Sequence, residues 1–207
     1  EKLTATLLAG MRAGVKRATA TQCHTKHVVR RIIESKILPE GALQLVCGGL
    51  GDLFDHVNCQ DIVSFTGSAH TAARLRVHPA IIRHAVPFIA ETDSLNSSIL
   101  ALDGAPGSAV FDLFIKEVVR EMTAKAGQKC TAIRKALVPA AITGEVVAAL
   151  QTALREIVVG DPRAEGVRMG PLVSQEQRTD VLARVADLRR EADLVAGDVD
   201  RFEVRGA

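Results

Sequence analysis

The sequence predicts an α/β fold built on a mostly parallel sheet. Short apolar strands, most of them followed by glycine-rich or polar turns, alternate with segments that carry apolar residues at helical spacing. This strand–helix–strand alternation implies parallel strands joined by right-handed crossovers. Hydrophobic residues make up 47% of the 207 residues, mostly Ala, Val, Leu and Ile, so the chain can fill the interior of such a fold.

In the first half of the chain the pattern predicts three strands and the helices between them. Apolar residues from Val28 to Ile33 recur at helical spacing, and Pro39 and Gly41 then end that helix. The predicted strands are 43–47, 61–66 and 86–91, and the predicted helices are 22–36, a short one over 53–58, and one that begins after Gly67-Ser68.

After Asn96 the pattern changes, and we place a domain boundary between residues 1–96 and 97–207. Apolar residues from Phe111 to Met122 form one face of a predicted helix, and Gly127 ends that helix. The other predicted elements are strands over 98–102 and 136–138, a helix capped by Thr143, and a helix that follows a Ser174/Gln177 capping box.

Composition excludes several classes of function. The 26 Lys and Arg nearly balance the 24 Asp and Glu, and the chain has no Trp or Tyr, so nucleic-acid binding is not expected. No apolar run approaches the ~18 residues that span a membrane. Four cysteines without a CxxC pair predict reduced thiols in the cytoplasm. Cys23-His24-x-x-His27 offers too few ligands for a metal site, and we predict none.

Cys130 is the candidate nucleophile. It lies just past a predicted helix end, beside Lys129, in the segment Ala-Gly-Gln-Lys-Cys-Thr. A nearby cation lowers the pKa of a thiol and favours the reactive thiolate. The alternative from this local context is a buried, inert cysteine.

Two further features lie at the carboxyl ends of predicted strands, where parallel sheets bind ligands. Glu91 ends an apolar strand, and a hydrophobic wall there would raise its pKa and suit it to general-base chemistry. Gly67 and Ser68 form a turn into a helix, whose amino end attracts phosphate. A solvated charge and an ordinary tight turn are the alternatives.

Taken in order, these features resemble the aldehyde dehydrogenase superfamily. The landmarks are Lys16, Phe65-Thr66-Gly67-Ser68, Glu91-x-x-x-x-Asn96, Gly127-Gln128-x-Cys130, and the later segments 159–162 and 169–173. Most members carry Glu-Leu-Gly-Gly-Lys where this chain has Glu91-Thr92-Asp93-Ser94-Leu95. In this divergent segment the chain resembles the semialdehyde dehydrogenase domains of bifunctional phenylacetate-degradation proteins.

The resemblance implies a chemistry for two residues. Cys130 would attack the aldehyde, and the hydride would pass to a nicotinamide, leaving a thioester. Glu91 would activate the water that hydrolyses this thioester, and the backbone N–H of Cys130 would form half of an oxyanion hole. The implied substrate is a CoA-linked semialdehyde that is oxidised to the acid. The family is also expected to form homo-oligomers.

The resemblance also implies a cofactor site. Gly67 and Ser68 would face the pyrophosphate, and Lys16 would reach the adenosine ribose. Many NAD-using relatives carry a Glu where this chain has Thr19, so the repulsion of a 2′-phosphate is removed and NADP is expected, with NAD as the alternative. Residues 1–96 would then be part of a Rossmann-like cofactor domain, and 97–207 part of an α/β catalytic domain.

The chain departs from the family pattern at its first strand and in length. Lys16-Arg17 replaces the family's Lys-Pro, and Arg12 and Gly14 interrupt the apolar strand before it. The family domain is much longer, and its upstream part supplies the Asn that completes the oxyanion hole. A catalytically inactive remnant that binds nucleotide or a partner chain is therefore the alternative. A CoA-acylating relative would lack the base, so Glu91 argues against it.

Overall fold

The chain alternates helices with short strands. The computed structural model describes residues 2–18, 21–198 and 202–206. The helices are α1 (Lys2–Leu8), α2 (Gln22–Glu34), α3 (Ala69–Arg76), α4 (Pro79–Arg83), α5 (Ala109–Thr123), α6 (Thr143–Arg155) and α7 (Gln175–Leu188). The strands are β1 (Ala13–Lys16), β2 (Leu43–Val46), β3 (Val63–Gly67), β4 (Phe88–Thr92), β5 (Ser97–Ile99) and β6 (Lys135–Leu137).

The strands that the structure describes pair only in parallel, as predicted. Within the described ranges they form three separate pairs, β1–β2, β3–β4 and β5–β6. In each pair the second strand follows one or two intervening helices, so each pair is a strand–helix–strand unit. The register places Thr66 beside Glu91 and Gly67 beside Thr92 at the carboxyl end of the second pair.

The chain divides into two compact units between Thr92 and Asp93. The first unit packs Phe54, Ile81 and Val86 into a small core. The second unit has a larger core formed by the buried face of α5 against residues of the flanking segments. Its buried members are Leu100, Phe111, Phe114, Ile115, Val118, Val119 and Val146. The assignment of these two parts to cofactor binding and to catalysis stays a prediction.

Helix caps show where the local sequence was sufficient and where it was not. Ser174 caps α7 by accepting a hydrogen bond from the Gln177 N–H at 3.1 Å, as the capping-box pattern predicted. Thr143 was predicted to cap α6, and this is wrong. Ile142 occupies the cap position, and the Thr143 hydroxyl donates back to the Pro139 carbonyl at 3.4 Å.

The predicted face of α5 is confirmed except at its end. Met122 is 43% exposed, and the helix stops at Thr123 instead of reaching Gly127. Lys125 and Ala126 adopt left-handed backbone angles, which break the helix before the glycine. Nowhere in the described part of the chain does a helix combine the length and apolar character needed to cross a lipid bilayer.

Candidate active site

Cys130 lies in the loop that joins the end of α5 to β6, which we call the cysteine loop (residues 128–134). Three successive residues in left-handed conformation, Lys125, Ala126 and Gly127, turn the chain into this loop with φ angles of 53°, 54° and 70°. Each non-glycine residue held there costs about 1–3 kcal/mol, a kind of strain that clusters at functional sites. The Cys130 side chain is free and exposed, so the cysteine is not buried.

Backbone carbonyls of the cysteine loop are held by side chains that flank it. The Arg134 guanidinium donates to the carbonyls of Gly127 and Lys129 at 3.1 and 3.2 Å. The Asn96 amide donates to the carbonyls of Cys130 and Ala132 at 2.7 and 3.1 Å. The loop is therefore fixed through its backbone, which leaves the thiol of Cys130 outside this bonding.

Lys129, the cation beside Cys130 in the sequence, bonds a carboxylate on α5. Its ammonium donates to both carboxylate oxygens of Glu121 on α5, at 2.8 Å each. The Glu121 residue is only 8% exposed, and its pKa is lowered below the usual 4.5, first by the hydrogen bond from Lys129 and further by the charges of Lys129 and Arg120. The cation next to Cys130 thus anchors the cysteine loop to α5.

Gln128 ties the cysteine loop to the segment 169–173. Its side-chain oxygen accepts from the Val173 N–H at 2.8 Å, and its amide nitrogen donates to the carbonyls of Lys125 and Pro171 at 3.0 and 3.4 Å. Two landmarks that the sequence presents as separate motifs are therefore in direct contact. No sequence pattern reveals this bond, because both partners in segment 169–173 are backbone atoms.

Glu91 lies on β4 at the carboxyl end of the β3–β4 pair, as predicted, but its surroundings differ from the prediction. Its side chain is 63% exposed and forms an ion pair with the Lys2 ammonium at 2.9 Å. The same ammonium donates to the Thr66 hydroxyl of β3 at 3.2 Å. The hydrophobic wall expected around this carboxylate is absent from its described surroundings in the first unit, and a cation stands beside it instead.

Gly67 and Ser68 lie at the same end of that strand pair. Ser68 caps α3, since its hydroxyl oxygen accepts from the Thr71 N–H at 3.2 Å. A side chain at position 67 would clash with the Phe65 ring, because an added Cβ would lie 3.0 Å from its Cε1 atom. The glycine thus leaves room for the Phe65 ring at the end of β3.

The remaining predicted residues are distributed over the first unit. Lys16 is the last residue of β1 and is exposed, on a strand pair separate from that of Gly67. Thr19 lies outside the described residues. Glu91 belongs to the first unit and Cys130 to the second. In the described ranges, no group of three or more His, Cys, Asp or Glu side chains is placed to hold a metal ion.

A comparison with protein-family models shows which family this chain belongs to. The model of the aldehyde dehydrogenase family matches residues 1–205. The chain belongs to the aldehyde dehydrogenase family. A curated relative, the 3,4-dehydroadipyl-CoA semialdehyde dehydrogenase of Aromatoleum evansii, is 48% identical over 203 residues, which are 98% of this chain and 39% of that protein. This chain therefore spans well under half the length of that aldehyde dehydrogenase.

Solved structures confirm the fold of this aldehyde dehydrogenase chain. A variant of betaine aldehyde dehydrogenase from Staphylococcus aureus, in complex with NAD+, superposes with a TM-score of 0.83 at 24% identity, covering 97% of this chain and 40% of that one. A variant of proline utilization A from Bradyrhizobium japonicum gives 0.81 at 29% identity, covering 94% and 20%. The α/β, aldehyde dehydrogenase-like fold predicted from the sequence is confirmed.

Proposed function

We propose that this chain carries the nucleophile and the general base of an NADP-dependent aldehyde oxidation. The observation that supports this most is the exposed Cys130 thiol on a loop whose carbonyls are held by Arg134 and Asn96. A nucleophile must be accessible and yet held in one geometry. The cysteine loop meets both requirements.

In the proposed reaction Cys130 is the nucleophile and Glu91 is the general base. The thiolate sulfur of Cys130 attacks the aldehyde carbon, and the backbone N–H of Cys130 donates to the developing oxyanion. Loss of hydride from that carbon leaves a thioester on the sulfur. The Glu91 carboxylate then takes a proton from water, the hydroxide attacks the thioester, and the acid leaves as the thiolate is restored. Lys2 holds the Glu91 side chain beside Thr66.

The residues of the first unit fit the proposed cofactor. Gly67 and Ser68 are exposed at the amino end of α3, whose dipole favours the negative charge of a pyrophosphate. Lys16 is an exposed cation at a strand end, which suits a ribose hydroxyl or a phosphate. When bound, NADP supplies the hydride acceptor. The preference for NADP over NAD rests on Thr19 in the sequence, where a Glu would repel the 2′-phosphate.

The name of a relative supports the proposed substrate class. The Aromatoleum evansii protein is named a CoA-semialdehyde dehydrogenase and shares 48% of the aligned residues. We propose a CoA-linked semialdehyde of phenylacetate degradation for this chain. Oxidation of the aldehyde end to an acid leaves the CoA thioester end unchanged, so one chain must distinguish the two carbonyl groups.

Steady-state formation of reduced nicotinamide by the purified chain, with a short aliphatic aldehyde as the probe, tests the proposal. Cys130→Ala is expected to reduce the rate to background, whereas Cys59→Ala, at another exposed cysteine, retains it. Glu91→Gln is expected to give one burst of reduced nicotinamide and then stop. NADP is expected to support a higher kcat/KM than NAD. Undiminished steady turnover in Cys130→Ala or Glu91→Gln would contradict the assigned roles.

A second candidate function is binding of a nucleotide or partner chain without turnover. Large apolar side chains are exposed on several strands, with Ile89 of β4, Ile99 of β5 and Leu137 of β6 all more than half exposed. Ile99 and Leu137 are partners in the register of the β5–β6 pair, and exposed apolar surface of this kind marks interaction sites. A folded chain that binds NADP but forms no reduced nicotinamide with any aldehyde would support this second function over the first.

A further inference from the structure

Ser94 and Asn96 form a hydrogen-bonded pair against the carbonyl of Cys130. The Asn96 amide nitrogen donates to the Ser94 hydroxyl oxygen and to the Cys130 carbonyl, both at 2.7 Å. The Ser94 hydroxyl in turn donates to that same carbonyl. Both side chains are half-buried, and they lie 36 and 34 residues before Cys130 in the sequence. One backbone carbonyl therefore receives hydrogen bonds from two distant side chains.

This arrangement uses both hydrogens of the Asn96 side-chain nitrogen. An asparagine nitrogen carries two hydrogens, and here it faces three acceptors, the Ser94 hydroxyl and the carbonyls of Cys130 and Ala132. The Asn96 backbone carbonyl also accepts from the N–H groups of Arg134 and Lys135, where the β5–β6 pair begins. Asn96 thus contacts the cysteine loop through both its backbone and its side chain.

Holding this carbonyl restricts the direction of the thiol. A peptide unit is planar and rigid, so hydrogen bonds that hold its carbonyl oxygen restrict the orientation of the whole plane. Arg134 holds the carbonyl of Lys129, which belongs to the plane before Cys130, and Ser94 with Asn96 hold the carbonyl of the plane after it. Restricting the two planes on either side of one Cα restricts φ and ψ, and hence the directions of the Cα–Cβ bond and of the Cys130 N–H.

We propose that Ser94 and Asn96 are a positioning pair that aims the Cys130 sulfur and N–H at the aldehyde carbonyl. The proposal rests on the proposed function of Cys130 as the nucleophile. The pair does not touch the substrate and acts through the backbone of Cys130. Ser94 stands where most of the family carries a glycine, so this chain adds a hydroxyl to the contact that the glycine form of the motif lacks.

Kinetics of substituted chains test the pair. Asn96→Ala is expected to lower kcat by about a hundredfold, with the KM for the aldehyde changed by less than about threefold, because misplacing a nucleophile by about 1 Å costs this much. Ser94→Gly is expected to lower kcat by about tenfold, since one donor remains, and Ser94→Thr, which keeps the hydroxyl, is expected to restore it. Asn58→Ala, at an asparagine of the first unit, is the control.

A second readout requires no turnover. In a chain labelled with carbonyl-¹³C cysteine, the Cys130 signal is identified by its absence in Cys130→Ala. Loss of the hydrogen bonds to that carbonyl is expected to move the signal upfield in Asn96→Ala and in Ser94→Gly, and not in Asn58→Ala. If Asn96→Ala does not fold, the comparison of Ser94→Gly with Ser94→Thr takes its place.

The two readouts separate the proposals. If the unsubstituted chain has no turnover, the proposed role of Cys130 fails, and the carbonyl signal alone decides whether the pair holds the loop. An unmoved Cys130 signal in both Asn96→Ala and Ser94→Gly would overturn the positioning pair. A kcat within about twofold of the unsubstituted chain in these variants would overturn it as well, because about 0.4 kcal/mol is too little for a positioning effect.

Discussion

At the residue scale, the sequence predicted where the candidate reacting groups lie on their elements, but not which residues surround them. Cys130 and Glu91 were selected by their position after a helix and at a strand end, and both lie where those patterns place them. Their role in holding the cysteine loop was not predicted for Asn96, Arg134 or Gln128, because these side chains bond backbone atoms. A bond to a backbone atom leaves no trace in the identity of the partner residue.

Lys129 has a partner that the sequence did not indicate. A cation adjacent to a cysteine in sequence suggests an activated thiol, yet the Lys129 ammonium forms an ion pair with Glu121, eight residues earlier on α5. A half-buried ammonium favours a carboxylate it can bond with two hydrogen bonds. The patterning of α5 predicted an apolar face through this region and gave no indication that Glu121 would be buried within it.

The Glu121–Lys129 pair makes stability depend on pH. The pKa of Glu121 is lowered below 4.5 in the folded chain, chiefly by the Lys129 hydrogen bond, so the unfolded state binds more protons in acid. This contribution is present above about pH 4.5 and is lost as the pH falls through the lowered pKa. Glu121→Gln should therefore cost most unfolding free energy at neutral pH and progressively less in acid.

Urea unfolding at neutral and acidic pH measures this effect. Lys129→Gln removes the principal cause of the shift and should flatten the pH dependence in the same way as Glu121→Gln. The double variant should then add little to either single change, because the two residues form one interaction. Parallel stability-against-pH curves for the unsubstituted chain and Glu121→Gln would contradict this account.

At the element scale, local patterns located most strands and helices, and the failures have local causes. Apolar patterning predicted five of the six described strands. It did not predict β1, because the charge of Arg12 and the glycine at position 14 interrupt the apolar pattern there. The helices α1 and α4 were missed because α1 buries no residue and α4 has only five residues. The division into three strand pairs was not predictable, because residue patterning specifies which face is buried and not which strand lies beside which.

The pairing of the last described segment, residues 202–206, with the rest of the chain requires a glycine at position 160. Gly160 pairs with Arg205, whose carbonyl accepts from the Asp161 N–H at 3.0 Å and whose N–H donates to the Val159 carbonyl at 2.9 Å. A side chain at position 160 would overlap the Arg205 backbone, with its Cβ 2.9 Å from both the nitrogen and the carbonyl carbon. The landmark Val159-Gly160-Asp161-Pro162 is therefore where the segment 202–206 pairs with the rest of the chain through backbone hydrogen bonds.

Gly160→Ala should detach that segment. Overpacking against backbone costs about 1–3 kcal/mol, which corresponds to amide hydrogen exchange at Asp161 and Arg205 about ten to a hundred times faster. Gly144→Ala is the matched control, because nothing lies within 4 Å of its added Cβ and alanine favours a helix. Unchanged exchange at both amides in Gly160→Ala would show that the segment is held by other contacts.

At the scale of the whole molecule, the chain holds two units with separate cores. The family and its α/β fold could be predicted from the sequence, because landmark residues recur in a fixed order over nearly the whole chain. The predicted catalytic pair is divided between the units, with Glu91 in the first and Cys130 in the second. That the two residues act together therefore remains a proposal based on motif order, whereas the structure describes how each is held within its own unit.

The most direct test of the central claim is to trap the acyl group on the chain. The Glu91→Gln variant is incubated with NADP and an aldehyde, and the protein is then examined by intact mass spectrometry and peptide mapping. We predict one acyl group, carried by Cys130, formed only when NADP is present, and absent from Cys23, Cys47 and Cys59. Reduced nicotinamide released without an acyl group on Cys130, or an acyl group on another cysteine, would contradict the account.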